Sequence, residues 1–157
     1  MENNKPARSG VGSVILIAHR GNINGPNPER ENHPDYILEA LKQGYDVEID
    51  LWWKKSLIDE WFLGHDEPQY RTHKKLLHHD RVWIHCKDYK TFQRLATTNL
   101  NFFYHTDEDY VLTGHNFIWA YPGKPGTENT ICVMPEYYDT PVEGFAGVCS
   151  DFVEKYK

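Results

Sequence analysis

Short apolar runs that empty into polar residues recur along the chain from position 14 onward. Runs of this length, rich in Val, Ile and aromatic residues and bounded by turn-forming residues, predict strands over 14–18, 46–51, 61–64, 81–86, 101–104, 116–121, 130–134 and 146–149. A helix is predicted from Pro34, capped by Asn32 or His33, with Ile37, Leu38 and Leu41 on one face and Gly44 as its stop. Asp88 reads as the N-cap of another, with Phe92, Leu95 and Ala96 as its buried face. Shorter helices are predicted over 70–79 and 107–112, and 52–60 reads as a charged, aromatic connection. After the sixth and seventh strands the connections read as loops. Eight parallel strands joined by crossovers predict an α/β fold, a compact TIM-type (β/α)8 barrel with reduced outer helices, especially in its second half. The sixth and seventh strands would then expose an apolar outer face, and a homo-oligomer is expected to cover it.

The polar ends of these runs carry the candidate chemistry. Glu48 and Asp50 are two apart in a strand and share a face, and two converging carboxylates are usually held together by a cation. His19 and His65 close separate runs at the ends of strands, where two imidazoles can divide general acid and general base work.

These motifs, His19-Arg20-Gly21, Glu31-Asn32, Glu48-Ile49-Asp50 and Gly64-His65-Asp66, resemble in order those of the glycerophosphodiester phosphodiesterases, relatives of the phosphatidylinositol-specific phospholipases C. The Glu31-Asn32 loop lacks the family's preceding Pro and following Thr. Softer matches follow: His85-Cys86-Lys87 where the family reads Glu-x-Lys, Trp119 in the sixth strand, and Gly147 to Asp151 at the last strand's end. The resemblance implies metal-dependent cleavage of a small or lipid-derived phosphodiester, with His19 and His65 as the acid-base pair. It gives Arg20, Lys87 and Trp119 to the phosphate or substrate, and Glu48, Asp50, His85 and Glu31 to a divalent ion, with orientation of Arg20 as the alternative role of Glu31. Magnesium or calcium suits such oxygen ligands, while the imidazole of His85, standing where the family has a carboxylate, admits manganese or zinc. That departure and the short chain leave a second reading, a phosphate- or phosphodiester-binding barrel without turnover.

Composition narrows the partners. The chain of 157 residues carries a formal charge of -6, and its only basic clusters are short, such as Lys54-Lys55 and Lys74-Lys75, which argues against nucleic acid. Three cysteines, Cys86, Cys132 and Cys149, lie in apolar runs without metal-type spacing and read as buried thiols in a reducing compartment. No run is long enough to span a bilayer, no signal-peptide pattern is present, and no basic amphipathic stretch suggests membrane docking. The expectation is one cytoplasmic domain over 14–157 behind a flexible polar tail over 1–13.

Overall fold

The computed structural model describes residues 13–157, so the expected tail, apart from Ser13, lies outside the described residues. Ten strands form one mixed sheet: β1 (Ile15–His19), β2 (Asp46–Lys55), β3 (Asp59–Leu63), β4 (Tyr70–Thr72), β5 (Val82–Cys86), β6 (Phe102–Tyr104), β7 (Tyr110–Leu112), β8 (Ile118–Ala120), β9 (Thr130–Val133) and β10 (Gly147–Ser150). The order β6-β5-β2-β1-β10-β9-β8 is parallel throughout, and β1 pairs with both β2 and the last strand. β3 adds antiparallel to β2, β4 antiparallel to β3, and β7 antiparallel to β8.

The expected (β/α)8 barrel is therefore incorrect: the fold is a mixed ten-stranded sheet with three short α-helices. β2 runs on past Leu51 to Lys55 and turns directly back into β3, so most of 52–60 is a hairpin and the crossover expected there does not exist. The predicted helix at 70–79 begins instead as β4 and keeps only α2 (Lys74–Leu77). The helix predicted at 107–112 is replaced by β7, where Tyr110-Val111-Leu112 suits a pleated strand and is too short to nucleate a helix.

Side-chain alternation divides the core in two. One face of the sheet carries Val47, Ile49, Leu51, Val82, Ile84 and Cys86 beneath the helices. There α1 (Pro34–Lys42) is capped by His33, whose side chain accepts from the Asp35 amide, and buries Ile37, Ala40 and Leu41, while Leu38 is exposed. α3 (Tyr89–Leu95) is capped by Asp88, which accepts from the Thr91 amide at 2.8 Å, and buries Leu95; Ala96 is exposed. The other face carries Ile17, Trp83, Phe103, Trp119, Ile131, Val133 and Cys149. On it Phe103 of β6 stacks 4.5 Å from Trp119 of β8, so side chains bridge the two ends of the parallel run, which no ladder joins among the described residues. β9 is buried along its whole length, against the expectation that the seventh predicted strand would offer an apolar outer face. The three cysteines are buried and unpaired.

Candidate metal centre and its histidines

Parallel register assembles the candidate site. His19 on β1 lies beside Glu48 on β2, and Asp50 lies beside His85 on β5. Glu48, Asp50 and His85 each present one ligand atom, all within 4.8 Å of one another. Both carboxylates are buried, Glu48 at 2% and Asp50 at 1% exposure. Burial and the neighbouring Asp50 push the Glu48 carboxyl up. Burial acts the same way on Asp50, but His85, Arg20 and Lys87 outweigh it and hold this carboxyl well below the usual range.

The donor set fits a cation because the tautomer of His85 is fixed. Its Nε2 lies 2.9 Å from the carbonyl oxygen of His105, an acceptor only, so Nε2 carries the proton. The ring is also clamped by Phe103, stacked at 5.1 Å. Nδ1 then faces Asp50 Oδ1 at 3.3 Å and Glu48 Oε1 at 3.8 Å. In a neutral imidazole these are three lone-pair donors turned on one point, which needs a proton or a metal ion between them.

The loop after β1 brings the cations. Arg20 takes a left-handed conformation, φ 55°, and its amide donates to the Glu48 carbonyl at 3.0 Å. Its Nη1 donates to Glu31 at 3.3 Å, and its Nε lies 3.1 Å from Asp50 Oδ2 outside hydrogen-bond geometry. Gly21 follows at φ 91°, where a Cβ would lie 2.8 Å from the Tyr36 ring. Asn32, also left-handed and 1% exposed, braces Asp50 twice: Nδ2 donates to Oδ2 at 2.8 Å, and Oδ1 accepts from the Asp50 amide at 3.0 Å. Glu31, expected as a further metal ligand or as the group that orients Arg20, accepts from Arg20 and from Asn22 and stands outside the three-residue cluster. Lys87 Nζ lies 3.7 Å from Asp50 Oδ1.

The two catalytic candidates differ in surroundings. His19 donates from Nδ1 to Asp151 at 2.7 Å and holds Nε2 3.8 Å from Glu48. Burial disfavours its charge, but Asp151 and Glu48 prevail and its pKa is raised. His65, in the turn after β3, is nearly half exposed and bonded to Asp66 at 2.7 Å. Partial burial and the charges of Arg20 and Lys87 lower its pKa. Trp119, expected at the substrate, is 4% exposed and packs among Trp83 and Phe103 in the core, because its strand points it to the sheet's filled face.

Asp151 is the residue that sequence reasoning did not assign. Asn22 and Tyr137 also donate to it, at 2.9 and 3.1 Å. The sequence signals were its position behind the last apolar run and the soft family match over Gly147 to Asp151, neither of which gave it a role.

Comparisons with protein-family models, curated proteins and solved structures gave no match for this chain. Among the described residues, no helix is long and apolar enough to cross a membrane.

Proposed function

We propose that the protein is a metal-dependent phosphodiesterase of the glycerophosphodiester type, cleaving a small or lipid-derived phosphodiester. The observation that carries this reading is the convergence of Glu48, Asp50 and His85 on one point, flanked by Arg20 and Lys87 and by two histidines with opposed proton affinities. Glu48, Asp50 and His85 would hold a divalent ion, which would supply Lewis-acid charge for the phosphoryl group. Arg20 and Lys87 add positive charge for the transition state, and Arg20 is already oriented by Glu31. The lowered pKa of His65 favours its neutral form and suits it to accept the proton of the attacking hydroxyl. The raised pKa of His19, sustained by Asp151, favours its protonated form and suits it to donate to the leaving alcohol.

A binding protein without turnover is the second reading, favoured by the engagement of Arg20 with Glu31 and Asp50. One assay separates the two: hydrolysis of bis(p-nitrophenyl) phosphate and glycerophosphocholine by metal-stripped protein, with magnesium, calcium, manganese and zinc returned singly. Metal-dependent turnover that falls about 10²-fold or more in both His19→Ala and His65→Ala is the expected result. Phosphodiester binding without turnover under every metal would favour the second reading.

A further inference from the structure

The tip of the β2–β3 hairpin is apolar where a loop of this kind is ordinarily polar. Leu57 is fully exposed and Ile58 is 65% exposed, side by side in the turn. The turn closes through the backbone and hydroxyl of Ser56 on the Ile58 carbonyl, so neither aliphatic side chain is needed to hold it. They touch no core, and the fold gives no account of them.

Charge and aromatic residues are layered behind this tip. Lys54 and Lys55 precede it, and neither has an ion pair within 4.0 Å among the described residues. The acids on the returning strand are engaged elsewhere, Asp59 with Arg94 and Glu60 with Arg71. The hairpin itself balances its two lysines against Asp59 and Glu60, and only with Arg71 and Arg94 counted is the group net positive, on a chain whose formal charge is -6. Half-buried Trp53 and Phe62 follow, with Lys54 Nζ 5.3 Å over the Phe62 ring and the Trp53 indole donating to Asp59. An aliphatic tip, two lysines without an ion pair of their own and a pair of half-buried aromatic rings match the layering of a bilayer interface.

We infer that this hairpin is a lipid-docking element, inserting Leu57 and Ile58 among acyl chains while Lys54 and Lys55 meet anionic head groups. It needs no basic amphipathic helix, which is why the charge pattern of the sequence did not announce it. The hairpin's two roots are residues of the candidate site: Asp50 accepts from the Gly64 amide, and His65 follows immediately. Docking therefore tethers the site to a surface of phosphodiester head groups. That substrate class rests on the phosphodiesterase reading, whereas the docking does not.

The test is co-sedimentation with phosphatidylcholine vesicles, with and without phosphatidylserine, which needs no activity. Binding to the anionic vesicles, weakened by salt, is expected for the native chain. Leu57→Asp with Ile58→Asp should reduce it at least about tenfold, and Lys54→Ala with Lys55→Ala about tenfold. Both variants alter exposed positions and should melt like the native protein. A Leu57→Trp reporter should shift its fluorescence to the blue on anionic vesicles. Absence of vesicle binding, or binding indifferent to the Leu57 and Ile58 changes, overturns the proposal. So does light scattering that shows the tip holding a dimer, or a protein partner whose capture depends on it. Hydrolysis of soluble bis(p-nitrophenyl) phosphate by the Leu57 and Ile58 variant separates the ideas: unchanged soluble turnover with lost vesicle hydrolysis supports both. Vesicle binding without any turnover sustains the docking and removes the reading of the site.

Discussion

Replacing His85 with glutamate asks whether the imidazole has retuned the metal centre. A negative charge at the position of Nδ1 would lie 3.3 Å from Asp50 Oδ1 and 3.8 Å from Glu48 Oε1. At an effective dielectric near 20 these separations correspond to repulsions of about 5 and about 4 kcal/mol. Lys87 and Arg20 offset part of this, and protonation of the introduced carboxyl caps the rest. Metal-stripped His85→Glu should therefore melt below metal-stripped native protein, and a hard divalent ion should recover the loss by mass action. With imidazole the site should favour zinc or manganese over magnesium and calcium by at least about tenfold in Kd. With a third carboxylate, magnesium or calcium should gain at least about tenfold, or ~1.4 kcal/mol. Calorimetric titration and thermal melts with each metal read both quantities without any turnover. Equal affinities for magnesium and zinc in the native chain, or the same order of metals in His85→Glu, would refute the argument.

Three further outcomes follow from the same contacts. Asp151→Asn should lower the titration midpoint of His19 in NMR. In the native chain the contribution of the raised His19 is fully present below its unfolded pKa of about 6.5 and lost as pH rises through the folded value. The depressed Asp151 contributes above its own unfolded value and loses that contribution as pH falls through the folded one, so urea midpoints in Asp151→Asn should flatten on both limbs. The rate profile of kcat/KM should be bell-shaped, rising as His65 loses its proton below the ordinary histidine range and falling as His19 loses its own above it; an alkaline limb that survives Asp151→Asn unmoved would contradict these roles. Trp119→Ala should cost about 3–5 kcal/mol in urea unfolding, because the ring is core; unchanged stability with weakened substrate binding would return Trp119 to the site.

What could be read from the chain was what depends on near neighbours. Proline at the start of α1, Asp88 before α3 and the shared face of Glu48 and Asp50 each follow from a local rule about caps or strand period, and each stands in the structure. Length and partnership were not legible in the same way. Trp52 to Lys55 reads as a connection because its charges interrupt an apolar run, yet it is strand because residues 59–63 lie against it. Tyr110 to Leu112 is strand for the same reason, held by β8. The bond from His19 to Asp151 spans 132 positions, and no spacing rule reaches that far.

The site survives the failure of the barrel expectation because it needs only four neighbouring strands. β1 stands between β2 and β10, and β5 lies beyond β2, so His19, Glu48, Asp50, His85 and Asp151 converge through three parallel ladders. Each ladder fixes register, and register fixes which side chains share a face. The segments that depart from a βα repeat attach outside those ladders, β3 to the far half of β2, β4 to β3 and β7 to β8. Only the root of the hairpin reaches the site, through the Gly64 amide on Asp50 and through His65; its tip lies at the other end of the β2–β3 ladder. The carboxylates, His85, His19 and Asp151 are thus placed by the β10-β1-β2-β5 unit, His65 is carried by the root of the hairpin, and the tip is left for another surface.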